Sequence, residues 1–572
     1  MKENKINRRT FVKGFALAGS AALAGSVTAL SPAMGNVALA DESDLSNGVS
    51  SWRIPPDPIA DSDIVEEKTA DFVVIGLGHA GTSCTRWIAE NSGDVIAIES
   101  QAEETFRVFG EDFGHINSNW LTKQGAAAVD PIEFFNNWML NSQNLANPSL
   151  IMKYAQNSGD TFDWWADTLG TDFMENKVSL DFWPRTENTI SEIAGQKFWN
   201  GTAQIVNEYE DGTQDINMTE AFQLFHKVIV DKGGKIDWST RGVQLIKDGD
   251  RVTGVVAQNS DGSYIKYHAN KAVVLAAGDF SGNAEMRNEL CTSIVDLVPP
   301  GTMWMGAGRD GSGIKMGVWA GGHIEPRTVA TMGGDTSHPG LSGGMTGVWL
   351  NDQGQRYSNE FFGDPIWTGR TTVQQNLDTI YSLYDNKLMD QLEYNIPAHA
   401  RFDWSDAVQV KSLQASLDEA VASGPDGVEG RGSVLYAAND LEALADYAGM
   451  SGSVKQNFLD SITRYNGFCD KGIDEDFGKD KRVLWKIDTP PFYLNVASVG
   501  MLAFMLVSVG GLHTDGNQQV VDEQNHAIPG LFASGNCCGK RFGSAYFSPI
   551  AGVSVGMANT LGRELGKHLL TL

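Results

Sequence analysis

The chain has 572 residues, 42% hydrophobic and 20% charged, a balance that excludes a disordered tail, a collagen-like fibre and a coiled coil. Its formal charge is −28, from 43 basic and 71 acidic residues, which excludes nucleic acid as a partner because phosphates need a basic surface. Beyond the first 13 positions the balance is 38 basic against 70 acidic, so a basic electron-transfer protein or a cationic surface suits it, with solubility the plainer reading.

The N-terminus reads as an address. Arg8-Arg9 is followed by Thr10-Phe11-Val12-Lys13, a weakly apolar run from Gly14 to Leu30, and Val37-Ala38-Leu39-Ala40. This is a twin-arginine export signal with cleavage expected after Ala40. A single membrane anchor is the alternative, but the run is short for a span and rich in Gly, Ala and Ser. The cleaved chain is expected to have no stable membrane insertion. Residues 41–63, with Pro55, Pro56 and Pro58, read as a linker.

From Ala70 the pattern becomes strand, Gly-rich turn, helix, strand. The stretch Ile132 to Leu169 has helical spacing, and its Trp138, Trp164 and Trp165 are expected in a core. Val243–Ile246, Arg251–Ala257 and Tyr264–Tyr267 read as hairpin strands, with Lys247-Asp-Gly-Asp as a turn. Lys271 to Leu275 is a continuous apolar strand. A Gly-rich, strand-poor region from about Gly333 to Gly369 leads into mixed helical patterns up to about Arg464. A last strand, Gly530 to Gly535, precedes a C-terminal helix from about Gly552. The five cysteines form no Cys-x-x-Cys pair, so no metal site and no covalently attached haem are expected. Cys537-Cys538 read as two small buried residues, with a redox pair the alternative.

The run Asp71-Phe-Val-Val-Ile-Gly76-Leu-Gly78-His-Ala80-Gly81 follows an apolar strand and opens a helix. A second strand ends at Glu99, 21 residues after Gly78. Gly76 permits the tight turn, Gly78 lets backbone approach a diphosphate, Gly81 lets helix pack on strand, and Glu99 accepts from a ribose hydroxyl. The late strand Gly530–Gly535 favours FAD over NAD, since an NAD-binding half needs no closing strand so far along the chain. The helix start at Pro549-Ile-Ala-Gly552-Val-Ser554 would set a positive helix end against the pyrimidine edge of a flavin.

With these segments in place the chain resembles the flavoprotein superfamily of soluble fumarate reductases, urocanate reductases and 3-ketosteroid dehydrogenases, from about residue 64 to the C-terminus. The resemblance rests on Gly76–Glu99, Val273–Gly278, Arg309–Met316, Gln355–Glu360, Gly530–Asn536 and Gly556–Arg563. It implies an α/β fold, with a discontinuous Rossmann-like FAD-binding domain (64–333 and 508–572) and an inserted α+β capping domain (334–507). It also implies that Ala277 and Gly278 border the cofactor, that Asp310, Gly535 and Asn536 (a Glu in many relatives) hold flavin hydroxyls, and that Ser554 and Val555 lie near the ring. Arg107 to His115 replaces the family's Gly-Gly-Asn/Ser stretch, so no contact is carried over there.

The family chemistry is incomplete in this chain. His338-Pro339 survives at the opening of the cap. Asp364 stands where fumarate reductases have their acid arginine, and Pro549 aligns with a carboxylate-binding arginine. Leu506 or Val507 replaces a histidine, and Leu341 to Gly347 lacks the Glu and Arg of the proton relay. A dicarboxylate would then be left unpaired, so fumarate is not expected as substrate. Tyr546 is the candidate proton donor, as in ketosteroid dehydrogenases, or else an ordinary backbone-bonded tyrosine. Arg541 is read as gripping a substrate anion or the flavin, or as a solvated loop charge. Arg370 is a candidate substitute acid, and His338 a candidate substrate contact.

The expected activity is hydride transfer between flavin N5 and an activated C=C bond of a small unsaturated substrate. Electrons would come from a separate cytochrome or flavoprotein donor. The alternatives are a ketosteroid-type dehydrogenase and a non-catalytic flavin electron-transfer protein.

Overall fold

The computed structural model describes residues 50–108, 110, 112–181, 187–208, 214–216, 218–292, 308–326, 328–333, 347–361, 369–375, 379–394, 407–430, 433–497 and 505–572. The expected export signal lies outside them.

β1 (Ile64–Ile75) and β2 (Val95–Ile98) run parallel to each other and to the strands Lys235–Asp237, Tyr264–Leu275 and Ala527–Ala533. The order across this sheet is Ala527–Ala533, Tyr264–Leu275, β1, β2, Lys235–Asp237. Its strands are apolar at consecutive positions because both faces are covered. Val73 and Ile75 join one core cluster with Ile96, Ile98, Val273 and Leu275, whereas Phe72 and Val74 join the other with Val95, Ala97, Ala272 and Val274. Each Val, Ile, Leu or Phe among them contributes about 1.5–3 kcal/mol on full burial.

Tyr264–Leu275 is one 12-residue strand where two were expected. Its first half pairs antiparallel with Arg251–Asn259, which pairs with Thr240–Asp248. Its second half pairs parallel with Ala527–Ala533. The hairpin closes with Asp248 opposite Arg251. The helical stretch expected over Ile132–Leu169 is divided between Pro131–Asn141 and Pro148–Lys177, the latter broken at Gly170 with φ +77°. Asp130 and Asn147 each cap a helix whose first turn carries Pro, so Asn147-Pro148 restarts the chain. Trp138 and Trp165 are buried in the cores, as expected, and Trp164 packs partly buried against one of them.

The polar segment expected as a linker is docked from residue 50. Trp52 is buried, its Nε1 donates to Glu289, and Trp319 Nε1 donates to its carbonyl. Arg53 pairs with the same Glu289. One tryptophan thus ties down a stretch whose composition reads as loop.

α1 (His79–Glu90) lies along the last helix, Val553–Leu569. A Cβ on Gly562 would sit 2.4 Å from the Ala80 carbonyl oxygen, so the two backbones touch where the first turn of α1 meets the middle of the last helix. The strands Thr331–Gly333 and Met505–Ser508, at the expected borders of the cap, pair antiparallel, so the chain leaves and returns side by side. Between them lies an antiparallel five-stranded sheet, in the order Val348–Leu350, Ile380–Tyr384, Phe492–Ala497, Ser433–Ala438, Val428–Gly430. The helices Ala407–Ser423, Leu441–Tyr447 and Gly452–Lys471 accompany it. The cap is therefore α+β, as the resemblance implied, where the residue pattern alone read as mixed helical. Among the described residues, no helix is long and apolar enough to cross a membrane.

Candidate active site

The chain leaves β1 at Gly76 with φ +98°, and the Gly76 N–H donates to the Ile98 carbonyl at 2.8 Å. A Cβ on Gly76 would lie 2.6 Å from the Ala276 carbonyl oxygen, and one on Gly81 would lie 1.8 Å from the Gly76 carbonyl oxygen. Turn, neighbouring strand end and first helical turn are therefore in backbone contact. Gly78 differs: nothing lies within 4 Å of its Cβ position, and as the N-cap of α1 it offers no side-chain cap. The first N–H groups of α1 are thus left for a ligand. Gly278, with φ +84°, also borders open space, next to half-buried Ala277.

Glu99 ends β2 beneath this turn. Its Oε2 accepts from the Leu77 N–H at 2.8 Å and its Oε1 from the Gln101 N–H at 2.9 Å. All these groups sit at the C-terminal ends of parallel strands, where open α/β sheets bind their ligands. A cradle that is tight at Gly76 and Gly81 but open at Gly78 and Gly278 fits the diphosphate of FAD.

The last strand delivers the loop Gly535–Cys537. A Cβ on Gly535 would lie 3.0 Å from the Ala80 Cβ, and Cys537 Sγ donates to the Gly278 carbonyl at 3.2 Å. The loop therefore spans the opening between the strand end and α1. Asn536, half-buried in it, accepts on Oδ1 from Arg541 Nη2 at 2.6 Å. Asp310 pairs with Arg241 at 2.6 Å and Lys315 at 3.1 Å and accepts from the Ser312 N–H. Burial would raise its pKa, but Lys315 and Arg241 outweigh this and hold it below the ordinary value.

Ser554 and Val555 lie in the first turn of the final helix, which begins at Gly552 without a side-chain cap. Gly110 approaches both Val555 and His79, and Asn559 Nδ2 contacts His79 Nδ1 at 3.2 Å. The start of α1 thus lies beside the second turn of the final helix.

Tyr546 is 2% exposed, with its ring 4.9 Å from that of Phe542. Trp138 packs on Phe542 and Phe547, and its Nε1 donates to the Arg541 carbonyl. Arg541 is 0% exposed, which overturns the alternative of a solvated loop charge. Its Nε donates to the Cys538 carbonyl and its Nη2 to the Val509 carbonyl and Asn536, while Nη1 is buried with no partner among the described residues. Burial lowers its pKa. His338 lies outside the described residues. Of Arg370 only the backbone is described, in the short helix Gly369–Gln374, where Thr371 donates to Ser358 and Thr372 bonds Tyr357. Tyr546 and Arg541 are therefore the two catalytic candidates whose side chains the structure locates, and they are near enough to interact electrostatically.

Cys537 and Cys538 are free and buried, and burial pushes their thiols up to about 12 and about 11, so neither is a reactive thiolate. Two acids escaped sequence reasoning. Asp279 accepts from the Ser281 N–H and pairs with Arg309 at 3.3 Å, which ties the Gly278 turn to the Asp310 loop. Glu325 accepts from the N–H groups of Gly511 and Lys540, and burial pushes its pKa up to about 7. Adjacency to the matched segment Val273–Gly278 could have pointed to Asp279. No local signal marks Glu325.

A family model described as an FAD binding domain matches residues 71–555, and the chain belongs to that family: it is an FAD-dependent oxidoreductase. It is 25% identical to a vinyl phenol reductase of Lactiplantibacillus plantarum, over 88% of this chain and 97% of that protein. It is 24% identical to a digoxin reductase of Eggerthella lenta, over 100% of this chain and 98% of that one. Its fold is similar to that of a crystal structure of 3-ketosteroid-Δ4-(5α)-dehydrogenase from Rhodococcus jostii. The TM-score is 0.63, at 19% identity, covering 90% of this chain and 99% of that one.

Proposed function

We propose that this flavoprotein is an exported reductase of C=C bonds conjugated to a carbonyl or carboxylate, and that fumarate is not its substrate. The observation that carries this reading is the character of the wall beside the bare helix end at Gly552. It is aromatic, and Arg541 within it is fully buried, with Nε and Nη2 bonded to two backbone carbonyls and the Asn536 amide. A dicarboxylate there would leave charge unpaired. The two reductases above are named for vinyl phenol and digoxin, neither of them a dicarboxylate.

When bound, FAD supplies the hydride at N5. The Gly76–Gly81 turn, Gly278 and Asn536 would hold it, and the first-turn N–H groups of Ser554 and Val555 would face the ring. Tyr546 would hold the proton that the substrate's carbonyl or enolate oxygen takes up, and the packed rings of Trp138, Phe542 and Phe547 keep water from it. His338 and Arg370 are further candidates from the cap side. Electrons would arrive from a separate cytochrome or flavoprotein, and the acidic chain suits a basic donor. The twin-arginine leader supports export of the folded, loaded protein.

Dehydrogenation of a ketosteroid-type substrate is the second reading, supported by Tyr546 standing just before the Pro549 helix start. Anaerobic mixing separates the two. Reoxidation of the reduced flavin by enones, enoates or aryl acrylates, with fumarate inert, is the expected outcome. Bleaching of the oxidised flavin by a saturated ketone would favour the dehydrogenase, and no reaction in either direction would leave an electron-transfer protein. Tyr546→Phe is expected to slow turnover about 10²-fold or more with FAD content unchanged.

A further inference from the structure

We infer that Arg541 is a cofactor-positioning residue: a buried guanidinium without a carboxylate partner fixes the Asn536 amide so that Nδ2 donates to FAD, and leaves its positive charge for the cofactor to balance. Four observations lead there. First, an arginine only donates hydrogen bonds, so the atom of Asn536 that faces it at 2.6 Å is the carbonyl oxygen, and the two Nδ2 hydrogens form the unused end. Second, Asn536 makes no other hydrogen bond among the described residues and is half-buried, in the loop that closes the opening between Ala80 and Gly278.

Third, Arg541 is fully buried, yet its partners among the described residues are the carbonyls of Cys538 and Val509 and the Asn536 amide, and Nη1 has none there. A charge so placed is costly unless something balances it. Fourth, the carboxylate that acts on it electrostatically, Glu325, has both oxygens occupied by the Gly511 and Lys540 N–H groups, and no hydrogen bond joins the two. The charge therefore stands behind the cofactor cradle uncompensated, and FAD brings the anion.

The inference goes beyond the proposed reductase activity and is tested without any substrate. Asn536→Asp gives Arg541 the carboxylate it lacks and removes the Nδ2 donor. The purified holoenzyme is dialysed, FAD release is followed by flavin fluorescence, unfolding by tryptophan emission, and the flavin midpoint potential by dye equilibration. Asn536→Asp is expected to release FAD at least tenfold faster while unfolding at or above the wild-type temperature. Its reduced flavin is expected to be bound about tenfold less favourably relative to the oxidised form, a drop of about 30 mV for a two-electron couple. Arg541→Lys keeps the charge without the planar fork and is expected to release FAD faster with a smaller change in potential.

An Arg541 that merely staples its loop predicts the reverse, because Asn536→Asp strengthens the staple. Wild-type FAD retention and potential in Asn536→Asp would overturn the inference.

Discussion

The cap and the cofactor-binding framework each bury an arginine and a glutamate, and treat them oppositely. In the cap, Arg356 bonds Glu360 at 2.8 and 2.9 Å and Asp474 at 2.9 Å through two nitrogens, and Lys479 lies 3.3 Å from Glu360. Burial works against the Arg356 and Glu360 charges, but their mutual attraction wins. Arg356 is pushed above its ordinary pKa and Glu360 below. In the framework, Arg541 and Glu325 are just as buried but bond backbone instead of each other, and burial wins for both. A closed network is a staple. An open one is held ready for something the chain does not itself supply.

The framework's own joints are backbone against backbone, so the largest effect should come from Gly81→Ala. A methyl 1.8 Å from the Gly76 oxygen cannot be accommodated, and a loss of more than about 4 kcal/mol, read from denaturant unfolding, is expected. Arg356→Met would break the cap's network, leaving Glu360 to Lys479 and the Trp349 N–H and Asp474 to backbone N–H groups, at about 3–5 kcal/mol by the same measurement. A variant that unfolds like wild type would mean that water reaches the network.

Acidity sharpens the contrast. Glu360 and Asp474 titrate below their ordinary 4.5 and 3.8, so the stability they contribute is complete above those values and is lost as pH falls beneath them. Glu325 has the opposite sign. Raised to about 7, it contributes stability below about pH 4.5 that is lost as pH rises through 7, on the order of 3 kcal/mol. Glu325→Gln should flatten the dependence of the melting temperature on pH between about 5 and 8, while Arg356→Met should flatten it only below about 5. Gly78→Ala is the smallest change to the fold: its methyl meets open space, so unfolding should move by no more than about 0.5 kcal/mol while FAD binding weakens, seen as flavin lost on dialysis.

The turn at Gly76–Gly81 and the strand and helix around it were legible because everything they require is local: glycine spacing, an apolar strand and an acid after the next one. The cap was less so. Ile380–Tyr384 is buried at every position, and such a run has no period to separate strand from helix. The linker reading failed at Trp52, whose partners at Glu289 and Trp319 lie more than 230 residues away. Arg541 was legible as a candidate, but its burial was not.

The glycine pattern, the late strand Gly530–Gly535 and the resemblance built on them were enough, with no coordinates, to point to an α/β flavoprotein, because each is carried by a short run of chain. Which charges are neutralised, and which are left for the cofactor, was decided only when Glu325 met Gly511 and Lys540, 186 and 215 residues on, and when Arg541 turned to carbonyls rather than carboxylates. Burial and pairing are properties of the packed interior, and it is they that set what a charged side chain is able to do.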